Sequence, residues 1–149
     1  FALAEQQGMR LMEWTLDHER LQENPLLTSK GQQEIKRLSS ECSVSIPSVT
    51  GDCFMQVPFW KALKTDREHL KGEFITVVKA SSSVGIKIVV VPLVDNGRLE
   101  TPEQEDELVQ FLTSQISLLA FILEAKRQAE QDPEQAEKIA ELSKSLRSP

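Results

Sequence analysis

The chain has 149 residues, 40% of them hydrophobic and 27% charged, with a net charge of −6; this is the make-up of a globular domain long enough to bury one core. The negative balance argues against a nucleic-acid surface, which needs clustered Lys and Arg to neutralise phosphates, and the longest apolar run, Leu118–Leu123, is far shorter than a membrane span. Cys42 and Cys53 fit neither a disulfide framework nor a metal-ligand spacing, so the expectation is a cytoplasmic protein that meets no nucleic acid and no membrane.

The first residues, Phe1-Ala2-Leu3-Ala4-Glu5, read as the middle of a helix closed by Gly8 at its C-terminal cap, and they lack the basic start and apolar stretch of a signal peptide. Met9 to Leu16 follows as a strand ending on Asp17. Asn24-Pro25 marks a turn, and a helix is predicted from Thr28 or Ser29 with Ile35, Leu38 and Cys42 on its apolar side. Val44 to Val49 is a second strand, which Pro47 assigns to a sheet edge because proline cannot donate to the ladder. Gly51 to Trp60 reads as a long loop that begins with Asp52 and gathers Phe54, Met55, Phe59 and Trp60.

Thr65 and Glu68 have the spacing of a capping box, which predicts a helix from there to about Ser83, closed by Gly85. Lys61, Lys64, Arg67 and Lys71 fall around its start, interrupted by Asp66 and Glu68; the pattern is that of a solvated helix face, with a phosphate contact as the alternative. Ile86 to Val94, mostly β-branched, is the third strand and ends on Asp95. Thr101-Pro102-Glu103 opens another helix carrying Leu108, Val109, Phe111, Leu112, Ile116 and Leu119 toward a core. Phe121–Leu123 reads either as more helix or as the stub of a fourth strand, and the polar remainder as two helices with Ile139, Leu142 and Leu146 as a thin apolar stripe.

Helix, apolar run, acidic tip and loop repeat three times, the rhythm of consecutive βα units in a parallel sheet, whose ligands bind beyond the carboxyl ends of the strands. No glycine-rich phosphate loop, nucleophile elbow, paired-histidine zinc motif or cysteine cluster is present, and neither His18 nor His69 has a partner at ligand spacing. The acids Glu13, Asp17, Asp52 and Asp95 remain. In a parallel barrel such residues converge on one rim, where they bind a divalent cation or shuttle protons; equally, aspartates at such tips form turns. Glu13 stands apart, because a carboxylate within an apolar strand is costly unless it has a partner. For Phe54, Phe59 and Trp60 two readings stay open: walls that stack on a sugar, or packing beneath a neighbouring loop or subunit.

Met12-Glu13-Trp14-Thr15-Leu16-Asp17, the run from Ser45 to Phe54, and Ile88-Val89-Val90-Val91-Pro92-Leu93-Val94-Asp95 resemble, in unbroken order, the second to fourth strands of sugar phosphate isomerases/epimerases in the xylose-isomerase-like TIM-barrel superfamily. The resemblance covers roughly residues 1–120 and implies an α/β fold. It would be a partial TIM barrel of about three parallel βα units over residues 1–123, without the first strand, followed by a polar helical tail over 124–149. It also implies metal-assisted proton transfer next to a sugar carbonyl, with a sugar or sugar phosphate as partner and a divalent metal (Mn, Mg, Co or Zn) as cofactor. Glu13 matches the acid of the family's second strand. On this reading Glu13 and Asp52 are the catalytic candidates, and Asp17, Asp95, Phe54, Phe59 and Trp60 the substrate-binding ones. The family's metal ligands lie on later strands, and Glu124 alone is a candidate for one of them. The alternative is a non-catalytic, truncated piece that binds or oligomerises, covering its open sheet edges with a second copy.

Overall fold

The computed structural model describes residues 1–115, and the chain divides into two compact units, Phe1–Gln104 and Glu105–Pro149. Expectations for residues 116–149, including the apolar stub, Glu124 and the polar tail, lie outside the described residues.

The first unit is an open three-stranded parallel sheet in the order β1 (Leu11–Thr15), β2 (Ser45–Thr50), β3 (Ile88–Val90). A short helix, α1 (Ala2–Gln6), precedes β1 and is closed by Gly8 at φ +72°, a left-handed conformation that glycine adopts without steric cost. Two 3-10 turns, Leu21–Glu23 and Pro25–Leu27, carry the chain to α2 (Ser29–Cys42). Thr28 caps that helix, its hydroxyl accepting from the Gly31 N–H at 3.1 Å. Asn24 organises the turn before it: Oδ1 accepts both the Leu26 N–H at 3.0 Å and the Trp14 indole N–H at 3.1 Å.

Beyond β2 the expected long loop begins instead with a five-residue helix, α3 (Asp52–Gln56). The next helix, α4 (Lys64–Ser83), starts one residue before Thr65, so the capping box is not formed. Extended Leu63 is its N-cap, and the Leu63 carbonyl accepts from the amides of Asp66 and Arg67 without help from a side chain. At the other end Gly85, at φ +89°, turns the chain as expected. β3 is shorter than its apolar run, because Pro92 offers no N–H to extend the ladder. A last helix over residues 102–115 begins with reciprocal caps: Thr101 Oγ1 accepts the Gln104 N–H at 3.4 Å, and Gln104 Oε1 accepts the Glu100 N–H at 2.8 Å.

The largest departure from expectation concerns Pro47, which lies not at an edge but in the central strand. Leu11 is level with Ser45 and Glu13 with Ser48, so two residues of β2, Ile46 and Pro47, oppose Met12 alone. The missing proline N–H falls at this bulge, one of the few places a sheet tolerates it, while the Pro47 carbonyl accepts from the Lys87 N–H at 3.2 Å. The same bulge lets Ile46 and Val49, three residues apart, both face inward.

Among the described residues only one face of the sheet is covered. Val44, Ile46, Val49 and Leu16 are buried together with Ile35 of α2 and Phe74, Val77 and Ala80 of α4, and Ser83 of α4 donates to Gln32 of α2 at 2.9 Å. On the opposite face Leu11 is 64% and Ile88 56% exposed. Leu16→Ala, removing a fully buried side chain, is expected to cost about 2–5 kcal/mol in urea unfolding, whereas Leu11→Ala on the open face is expected to stay within about 0.5 kcal/mol.

Candidate functional site

Parallel pairing brings the carboxyl ends of all three strands to one edge, and backbone hydrogen bonds carry the ladder past them. Leu16 N–H donates to the Thr50 carbonyl at 2.9 Å, and Gly51 N–H to the Val90 carbonyl at 2.9 Å. Cys53 N–H, in the first turn of α3, donates to the Leu16 carbonyl at 2.8 Å. The short helix is thereby rooted on the end of β1. Gly51 can lie beneath it only without a side chain, since a Cβ there would sit 2.4 Å from the Phe54 ring.

The four sequence-derived acids occupy different levels of this edge. Glu13 lies on the uncovered sheet face, in one row with Ser48 and Ile88. It is exposed rather than buried in an apolar strand, and it has the partner the sequence argument asked for: Ser48 donates its hydroxyl to Glu13 Oε1 at 3.0 Å. Thr15, Thr50 and Val90 form the next row of the same face. Asp17 starts the loop after β1. Asp52 opens α3 and is half-buried. Asp95 begins a 3-10 turn (Asp95–Gly97) at φ +48°, a left-handed position that aspartate tolerates better than most residues.

These acids do not converge on a cation. Among the described residues no group of three His, Cys, Asp or Glu side chains is placed to hold a metal ion, so the donor set of this edge does not fit the divalent metal expected from the resemblance. What the structure does bring together is a set of amides that sequence reading missed. Gln56, the last residue of α3, accepts the His18 backbone N–H on Oε1 at 2.7 Å and donates from Nε2 to Asp17 Oδ1 at 2.9 Å. Its backbone carbonyl accepts from Asn96 Nδ2 at 2.8 Å. The one sequence signal for it was a lone polar residue within the apolar run from Phe54 to Trp60.

Phe54, Phe59 and Trp60 are 5%, 2% and 2% exposed. They pack into a cluster on α4, with ring centroids 4.7 Å apart for Phe54–Phe74, 5.0 Å for Phe59–Trp60 and 6.3 Å for Phe59–Phe74, within the range of favourable tilted and edge-to-face pairs. Rings this deeply buried pack within the fold, and through Phe54 and Phe74 they fasten α3 onto α4. The buried Trp60 indole N–H and Ser81 hydroxyl have no hydrogen-bond partner among the described residues. Lys61 pairs with Glu100 at 3.1 Å and Lys71 with Glu68 at 3.2 Å, which answers two of the basic side chains around the start of α4.

No helix of the described residues is long and apolar enough to cross a membrane. No family model and no curated protein matches the chain.

Cys53, in the first turn of α3, is 3% exposed, and burial pushes its thiol up to about 12, against the smaller opposing effect of backbone hydrogen bonds at Phe54. Cys42 is also buried, and its thiol is raised by burial and then by the Glu5 carboxylate. Raised folded-state values mean that both thiols favour the fold fully below the ordinary thiol range, and that this contribution is lost as pH rises through the folded value. At about pH 8.5 neither cysteine is expected to react with iodoacetamide in the folded chain, while both react in urea. Mass spectrometry of the alkylated protein reads the outcome directly, and rapid modification of the native Cys53 contradicts the packing of α3.

Proposed function

We propose that this chain forms the substrate-side wall of a sugar phosphate isomerase/epimerase, in a barrel of the xylose-isomerase-like kind and a cytoplasmic setting. The observation that carries the reading is the row of polar groups on the uncovered face of a parallel sheet. Glu13 with Ser48, and Thr15 with Thr50 one row on, stand where flanking strands are otherwise apolar. Proton transfer next to a sugar carbonyl needs a general base to take the proton, a role a carboxylate can fill, and donors to orient the substrate oxygens. Glu13 would supply the acceptor. Ser48 holds that carboxylate, and the threonine hydroxyls offer polar contacts on the same face. Asp17 at the edge would take a sugar hydroxyl. The described acids do not form a metal-binding group, so no part of this proposal is routed through one.

Solvent deuterium exchange tests it. Incubating the chain with a pentulose phosphate in deuterated buffer, with and without manganese, cobalt or magnesium, is expected to label the carbon next to the carbonyl. Glu13→Gln is expected to slow that exchange by at least about a hundredfold, the usual weight of a positioned general base. Absence of labelling by the unaltered chain under all these conditions excludes independent catalysis.

A second reading, a non-catalytic module that binds or self-associates, is favoured by Leu11, Ile88 and Val90, which are 64%, 56% and 39% exposed on the face that the described residues leave uncovered. The outer edges of β1 and β3 also have no strand partner among the described residues, and open edges template pairing with another chain. On that reading sedimentation velocity shows a mass that grows with protein concentration, and Leu11→Lys reduces it. A clean monomer at high concentration rules it out.

A further inference from the structure

We infer that Gln56 is a positioning residue: it ties the loops after β1, β2 and β3 into one rim and holds the Asp17 carboxylate in place. The three loops leave neighbouring strands, and nothing in parallel pairing alone fixes them to one another beyond the strand ends. Gln56 supplies that connection from a single position. Through its side chain it reaches the loop after β1 twice, at the His18 N–H (2.7 Å) and at Asp17 Oδ1 (2.9 Å). Through its backbone carbonyl, left over at the end of α3, it reaches the loop after β3 at Asn96 Nδ2 (2.8 Å). That third contact is backed by close packing. A Cβ at Gly97 would lie 3.0 Å from Met55 Cα and 2.6 Å from the Pro92 carbonyl, so the loop after β3 is pressed onto α3 as only a glycine allows.

The position calls for a side chain that both accepts and donates, and an amide does so from two separate atoms. His18 presents an N–H, which only an acceptor can meet, and Asp17 presents a carboxylate oxygen, which only a donor can meet when it is ionised. The backbone donor fixes which end of the amide points where: Oε1 must face His18, and Nε2 is left for Asp17. Glutamate at this position satisfies His18 but sets a second carboxylate against Asp17, and alanine satisfies neither. Asp17 has no other hydrogen-bond partner among the described residues, so Gln56 is the one hydrogen-bonded anchor of its carboxylate there. The use of that carboxylate toward a sugar hydroxyl rests on the function proposed above; the clasp itself does not.

Reversing the polarity of the pair tests the inference in the full chain. In Gln56→Glu with Asp17→Asn, the amide donor sits on residue 17 and the acceptor on residue 56, with the charge unchanged and the His18 contact intact. Amide hydrogen exchange is the first readout. Gln56→Ala is expected to speed exchange at the His18 N–H by about tenfold while the amides of Val49 and Val89 within the ladder stay unchanged. Gln56→Glu is expected to keep the His18 N–H protected, because a carboxylate still accepts from it, yet to lower the urea midpoint through repulsion with Asp17. The double variant is expected to regain that midpoint, a rescue that a merely space-filling Gln56 would not show.

Unchanged His18 exchange in Gln56→Ala overturns the inference, as does a double variant no more stable than Gln56→Glu. If the ladder amides accelerate as much as His18, the residue supports the fold at large and is not a positioning residue. Pentulose phosphate binding, followed by amide shifts, separates the two proposals. Where the unaltered chain binds, the double variant is expected to restore the rim but not the affinity, since the carboxylate has moved to residue 56. Where the unaltered chain shows no binding, the sugar reading fails, and the His18 and midpoint results still decide the role of Gln56.

Discussion

Because β2 pairs in parallel with both β1 and β3, all three strands must end on the same edge and every connection must return across the sheet. α2 and α4 are those returns, and their apolar sides cover one face together. Everything distinctive about the molecule follows from that geometry: a dry face, an open face, and an edge where three loops meet. The proline in the central strand sits at a bulge, where Ile46 and Pro47 oppose Met12 alone. The bulge also brings Ser48 level with Glu13. A backbone irregularity that the sheet accommodates thus also sets a hydrogen-bonded polar pair, Glu13 with Ser48, between two strands on the open face.

The edge is stiffened from below and above. Beneath α3 the cluster of Phe54, Phe59, Trp60 and Phe74 fills the space between the short helix and α4. A five-residue helix has too few internal hydrogen bonds to be stable by itself. It persists here because its first turn hangs on the Leu16 carbonyl, its one aromatic side chain, Phe54, is buried, and its last residue is tied to both neighbouring loops. Apolar packing holds the helix down, and amide chemistry determines where its end is fixed.

Much of this was legible in the chain itself. The turn at Asn24-Pro25, the cap at Thr28, the glycines at 8 and 85, and the three apolar runs are local features, and each took the form its chemistry predicted except the third run, where only Ile88–Val90 is strand. The misjudged features depended on neighbours distant in sequence. Pro47 pointed to an edge strand because its missing donor is a local fact, whereas the bulge that accommodates it belongs to the pairing with β1. Thr65 and Glu68 had capping-box spacing, but the backbone of Leu63 had already started the helix. Glu13 read as an anomaly within an apolar strand; which face of the sheet it occupies, and that Ser48 lies beside it, depends on register.

The sequence by itself determined the alternation of helices and strands, the parallel class of the sheet and which residues could be buried, because periodicity, caps and turn residues act over a few positions. Tertiary structure decided which of those residues meet. Strand order placed β2 in the centre, register set Glu13 beside Ser48, and the packing of α3 buried the aromatic side chains and brought Gln56 to Asp17, His18 and Asn96. Hydrogen bonds spanning nearly forty residues, such as those of Gln56, carry no signature in the residues that lie between. They exist only once the parallel ladder has brought the three loops together.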